Sequence, residues 1–322
     1  MNIHKSLNSN SNNGDELNLS EIISVLWNKK IFILVSFLLS SALVVVYSLS
    51  LPNIYESRAI VAPAKQNSGS DIMGGLGGLA SLAGISLPST GGSDPTIQAK
   101  KRLESLYFFQ EQIMPNIYLP DLMAFKSWDP INNSSSYSDK IYNTVEEKWV
   151  RKPSFPFGSE PSSQESFREF SEIFAVVQDI KTGFFTISIE HQSPYIAKQW
   201  VELIFNEINK ASRNEAKKKA ELSINYLNRK MEETKFSEIK LALSQLIQSE
   251  IQKLTLVESR EDYMFEYLDP PVVSEVKLKP KRAIICVVGS FIGTIISILY
   301  VLLHHYVFKA RVAVNPANHR EH

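Results

Sequence analysis

The sequence predicts an α+β chain in which a two-helix transmembrane hairpin flanks one large mixed domain carrying a long helical arm. Three observations predict it. Residues 31–51 contain no charged side chain, and in 283–308 the only titratable side chains are Cys286, Tyr300, His304, His305 and Tyr306. As a helix, each segment is long enough to cross a hydrocarbon core about 30 Å thick. Between them lie residues 52–282, mostly polar, too many for a loop and enough for a domain. Within that domain, residues 195–269 contain neither glycine nor proline, the signature of uninterrupted helix.

Composition narrows the function classes. The chain has 34 basic and 34 acidic residues, so its charge balance recommends no nucleic-acid partner. Its single cysteine, Cys286, lies in the second apolar segment, so no disulfide framework exists and no Cys/His set has metal-ligand spacing. His4, His191, His304, His305, His319 and His322 are scattered and read as surface, interface and tail histidines. No catalytic, cofactor-binding or metal-ligating constellation stands out, and the expectation is a non-enzymatic protein without a cofactor.

Residues 1–30 read as a cytoplasmic tail and an interfacial helix. The first 14 residues are rich in Asn and Ser and predict disorder. Asn18 and Glu21 then form a capping-box pattern, followed by an apolar face of Leu19, Ile22, Ile23, Leu26 and Trp27. Lys29 and Lys30 precede the span at 31–51, which places the N-terminus in the cytoplasm by the positive-inside rule. Lys309 and Arg311 after the second span agree, whereas Lys277, Lys279, Lys281 and Arg282 before it oppose. The first span usually dominates and long domains translocate largely regardless of charge. The domain at 52–282 is therefore expected outside the cytoplasm, with the tails at 1–30 and 309–322 inside. A cleavable signal peptide would have a shorter apolar core and a shorter polar leader.

The outer domain opens with a β-prone stretch at 53–61. Residues 69–92 are glycine-rich and apolar, with no charge after Asp71, so they lack the lysine that a phosphate loop requires. Two readings stay open there, a mobile loop or small-residue packing segment, and an apolar flap between subunits or at the membrane surface. Asp94 and Pro95 start a helix with Ile97, Leu103, Leu106, Phe109 and Ile113 on one face, ended by Pro115. From 120 to 161 Pro, Ser and Asn dominate, with one helix expected at 137–149. Ser162 and Glu165 form a second capping box. Strands at 173–177 and 184–190 pair as a hairpin through Gly183, where glycine permits a left-handed turn residue.

Ser193 and Pro194 begin the arm, expected at about 194–262. Ala220, Ile224, Leu227 and Met231 follow coiled-coil spacing, and Ile239, Leu243, Leu246 or Ile247, Ile251 and Leu254 resume it after a phase change. One helix of about 60 residues would reach roughly 90 Å, beyond what a domain this size can cover. The arm therefore either turns back near 234–237 or is buried by neighbouring subunits. Residues 263–268 read as a returning strand. In the second span Gly289 and Gly293 form a GxxxG, a candidate contact between transmembrane helices, and Ser36 and Ser40 have the same spacing in the first.

Four short segments, in order, carry a family resemblance: LNLSEIISVLW at 17–27, LPNIYES at 51–57, GFFTISIEHQSP at 183–194 with Ala197 and Trp200 after it, and KPKR at 279–282. With the two spans they resemble the Wzz-type chain-length determinants, polysaccharide co-polymerases of the lipopolysaccharide O-antigen class. One departure is Ser274 and Lys277 where the family pattern has prolines. The resemblance implies a multi-pass inner-membrane protein with both termini cytoplasmic, whose periplasmic α/β base near the membrane bears the arm. It also implies homo-oligomers and control of O-antigen chain length with the O-antigen polymerase, lipid-linked polysaccharide being a further candidate partner. A co-polymerase or export adaptor for capsule or exopolysaccharide is the alternative. That class often carries a kinase domain after the second span, but only residues 309–322 follow here and no GxxxxGK[ST] exists, so a kinase would be a separate chain.

Overall fold

The computed structural model describes residues 19–64 and 95–314. The chain forms two compact units, Asn53–Leu278 and the end segments Met1–Pro52 and Lys279–His322 together. Asn18, the glycine-rich stretch 69–92 and Asp94 lie outside the described residues.

The N-terminal segment consists of α1 (Leu19–Asn28) and α2 (Lys30–Ser50). The helical ladder continues across Lys29, whose amide donates to the Val25 carbonyl and whose carbonyl accepts from Ile33. Trp27 is exposed, and the Lys30 ammonium lies 5.1 Å from its ring, an aromatic and cation pairing typical of a membrane–water boundary.

In the unit 53–278 the chain enters as β1 (Tyr55–Pro63) and, after the undescribed stretch, resumes in α3 (Pro95–Leu103). The expected single helix from residue 94 to Pro115 is broken instead. Ser105 caps a new turn, its hydroxyl accepting from Phe108 N–H, and a π-helical turn (Phe109–Ile113) and a 3-10 turn (Met114–Asn116) follow. A short polar residue that bonds its own backbone competes with continuous helix.

Residues 120–161 also depart from the expected pattern. Where a helix was expected at 137–149, α4 (Leu119–Met123) leads into two small antiparallel pairs, β2 (Phe125–Asp129) with β3 (Ser134–Tyr137), and β4 (Tyr142–Asn143) with β5 (Lys148–Trp149). Rings hold this region together. Tyr118, Tyr137 and Tyr142 contact one another edge to face, and Trp149 packs on Tyr142.

Helix α5 (Ser163–Ile173) starts as the capping box requires, with the Ser162 hydroxyl accepting from Glu165 N–H at 3.2 Å. Glu165 is buried and takes a bidentate pair with Arg151. The hairpin β6 (Phe174–Gln178) and β7 (Phe185–His191) turns at Gly183, φ +75°. Next come α6 (Pro194–Glu233), α7 (Ser237–Ser259) and β8 (Phe265–Asp269). Ser193 and Pro194 start α6 in the manner expected, the serine hydroxyl accepting from Ile196 N–H.

The sheet order is β6-β7-β1-β8, all pairs antiparallel, so β1 from the start of the unit lies between strands from its second half. Alternation puts Ala59 and Val61 with Phe185, Ile187 and Ile189 on the inner face. They join Trp200, Val201, Ile204 and Ile208 of α6 in one core. These side chains are at most 3 % exposed, and burying each of them except the small Ala59 contributes about 2 kcal/mol.

The arm turns back. Thr234, Lys235 and Phe236 leave the helix, and Lys217 Nζ reaches Glu258 at 2.6 Å while Ser244 meets Met231, so α7 runs antiparallel to α6. Ala220 and Leu243 of the expected seam are buried, as is Val257, but Ile239 and Ile251 are exposed. The second span is α8 (Arg282–Val314), which packs against α2.

Candidate functional site

The sequence singled out Gly289 and Gly293. On α8 they lie against α2, each missing a side chain where one would collide. A Cβ on Gly289 would sit 2.6 and 2.7 Å from the two methyls of Val44. At Gly293 it would overlap the Ser40 hydroxyl and lie 2.5 Å from Ser40 Cβ. Ser40 directs its hydroxyl to the Phe37 carbonyl at 3.0 Å, so it adds no exposed donor to the interface. Further along, Phe32 stacks on Tyr300 with ring centres 5.8 Å apart. The pairs 44 with 289, 40 with 293 and 32 with 300 define an antiparallel register. Apart from this contact both helices expose Leu, Ile, Val and Phe, and both are long and apolar enough to cross a membrane.

In the unit 53–278 the sequence named no functional side chain, and the structure shows a cluster of buried polar groups near the root of the arm. His191 is one of them, buried rather than at the surface. The period-two alternation of Phe185, Ile187 and Ile189 is the signal that could have placed it inward. Ser193 N–H donates to its Nδ1 at 3.0 Å, so Nε2 carries the hydrogen and donates to the Asp121 carbonyl at 3.1 Å. Burial between the rings of Phe125 and Trp200 pushes its pKa below the ordinary histidine value, and an imidazolium would face the Ser193 amide donor to donor.

Asp121 accepts from the Tyr137 hydroxyl at 2.7 Å, and Tyr118 donates to Tyr142 at 3.0 Å. Burial raises the Asp121 carboxyl above the usual carboxylate range, with the Tyr137 bond opposing, and raises both Tyr118 and Tyr137. At the arm itself Asn209 ties α6 to β8. Its Oδ1 accepts from Met264 and Phe265 N–H at 2.7 and 2.9 Å, and its Nδ2 donates to the Phe265 carbonyl at 3.0 Å. No local sequence signal marks Asn209, because its partners lie more than fifty residues away.

His191 and Asn209 bond to main-chain groups, Tyr137 to Asp121 and Tyr118 to Tyr142, and among the described residues no three His, Cys, Asp or Glu side chains are placed to hold a metal ion.

Residues 15–106 match the family model described as Wzz, chain length determinant protein. The match covers less than a third of the chain. The match runs through α1, α2, β1 and α3, and so contains two of the four resembling segments, 17–27 and 51–57. No curated protein matches the chain. Among solved structures, a full-length bacterial polysaccharide co-polymerase is 14 % identical with a TM-score of 0.40, covering 94 % of this chain and 100 % of its own. A fragment of WzzB from Salmonella Typhimurium is 12 % identical with a TM-score of 0.29, covering 70 % of this chain and 100 % of its own. A point mutant of the Shigella flexneri lipopolysaccharide O-antigen chain-length regulator is 12 % identical with a TM-score of 0.21, covering 70 % and 99 %.

Proposed function

We propose that this chain is a non-enzymatic regulator of O-antigen chain length, a homo-oligomeric scaffold working with the O-antigen polymerase in the bacterial inner membrane. The Wzz match at 15–106 carries the reading. The helix pair supports it, since α2 and α8 together offer a membrane anchor, and so does the arm, whose exposed Leu222, Tyr226 and Leu241 leave apolar surface for neighbouring subunits. In this reading 53–278 is periplasmic, both termini are cytoplasmic, and Gly289 and Gly293 let the two spans approach closely.

The scaffold acts by assembling polymerase and growing chain, and its geometry sets how many repeats are added before release. A strain lacking the gene, complemented with this chain, tests it on an O-antigen ladder. Random lengths without the gene and a restored modal band with it are expected. An unchanged ladder with a loss of capsule or exopolysaccharide would move the function to that polymer.

A further inference from the structure

Two clefts open between α6 and the segment that runs from Ser105 to Asp121. The first, about 340 Å³, has Asn116, Tyr118 and Asp121 on one wall and Gln199, Glu202 and Asn206 on the other. The second, about 520 Å³, has Tyr107 and Gln112 facing Asn214 and Lys218, beside the Arg102–Glu215 ion pair. On the same wall, Asn116 of the first cleft donates from Nδ2 to the carbonyl of Gln112 of the second at 2.8 Å. On the helix side Glu202, Asn206, Lys210, Asn214 and Lys218 are four residues apart and so form one ridge. From Glu202 to Lys218 that ridge rises roughly 24 Å.

We propose that the two clefts form one track along α6 that holds an extended, uncharged, polyhydroxylated sugar chain. The proposal rests on the polysaccharide reading above and gives it a location. The side chains of Gln199, Asn206 and Asn214 make no hydrogen bond to other described residues. Each offers a donor and an acceptor, which is what a sugar hydroxyl, itself donor and acceptor, requires. Tyr107 and Tyr118, which line the clefts, are 75 % and 46 % exposed, and an aromatic ring is the surface on which the C–H face of a sugar packs. Tyr137 occupies one carboxylate oxygen of Asp121 and leaves the other toward hydroxyl donors. Acids stand at one end of the track and Lys218 with Arg102 at the other, so no continuous positive stripe exists for a polyphosphate. The walls also carry Ile117, Trp200 and Leu203 in the first cleft and Phe108 and Ala211 in the second, apolar surface against which the C–H faces of a sugar pack.

The test uses the full chain in detergent micelles, with polysaccharide released by mild acid from the host lipopolysaccharide as probe and saturation-transfer NMR and titration as readouts. Binding is expected for the wild type. The triple variant Tyr107→Ala, Asn206→Ala, Asn214→Ala alters exposed side chains only, so its thermal unfolding should match the wild type. Its affinity should fall about ten-fold or more. Val145→Ser, at an exposed hairpin tip, should bind as the wild type does. Failure of the wild type to bind the probe overturns the proposal, as does a triple variant of unchanged affinity. A triple variant whose oligomer shrinks while its affinity holds also overturns it and makes the track a subunit contact. The ladder experiment reads the chain-length function separately, so a bound polysaccharide with an unaffected ladder would remove that function and leave the track.

Discussion

Gly293 and Gly183 are both glycines that resist substitution, for different reasons. At Gly293 the obstacle is the neighbour, since a Cβ would overlap Ser40, whereas at Gly183 nothing lies within 4 Å and the obstacle is φ +75°. Gly293→Leu should force α2 and α8 apart and destabilise the pair by about 1–3 kcal/mol, seen as a lower Tm in micelles. Gly183→Ala should cost about 1–2 kcal/mol from backbone strain alone, without disturbing the spans. His191 gives a pH prediction of definite sign. Its folded pKa lies below its unfolded value near 6.5, so the unfolded chain binds the extra proton between the two. Its contribution is complete above the unfolded value and is lost as pH falls from there through the folded one. Urea midpoints measured from pH 7.5 to 5.5 should fall for the wild type and stay flatter for His191→Gln. Asp121, whose carboxyl is raised by burial, runs the other way, gaining stability as pH falls through its own window. Because Asp121 is present in both proteins, the comparison isolates the imidazole.

At the scale of elements, the readable parts were those whose signals are local. Ser162 with Glu165, Gly183, and Ser193 with Pro194 each mark a boundary that the structure keeps, and the arm reverses at Thr234–Phe236, one of the two readings its length allowed. The region 120–161 carries no legible strand signal, because its strands are short and serine-rich, without apolar alternation. What fixes them is contact among Tyr118, Tyr137, Tyr142 and Trp149, and no periodicity announces such a cluster. The same reason hid the sugar track, whose walls are about ninety residues apart in sequence. At the span contact the small residues were legible, but the register that sets Gly289 against Val44 was not. Asn209 is the element-scale linchpin, as its three bonds fasten β8 to the root of the arm. Asn209→Ala leaves buried backbone groups of Met264 and Phe265 without partners and should destabilise by about 2–3 kcal/mol. Faster hydrogen exchange at those two amides would locate the loss.

For the whole molecule, the question is what covers the arm. Helices α6 and α7 bury Ala220, Leu243 and Val257 between them but leave Leu222, Tyr226 and Leu241 at 60, 53 and 64 % exposure. A two-helix hairpin has too few layers to hide both faces of each helix, so a chain acting alone keeps this surface in water. If copies associate through it, each leucine removed from water contributes about 2 kcal/mol to every contact. Leu222→Glu with Leu241→Glu removes that gain and adds charge that must be desolvated. Within one chain neither side chain packs in the core, so the Tm of dissociated protein should change little, as surface substitutions generally do. Light scattering of the purified chain in micelles should show a smaller particle, and the complemented strain should show a shifted or lost modal band. Substituting the exposed Ile180, at the β6–β7 turn away from the arm, is the control and should alter neither. An unchanged particle carrying a changed ladder would mean that the arm meets the polymerase and not a second copy, so the two readouts together separate self-assembly from recruitment.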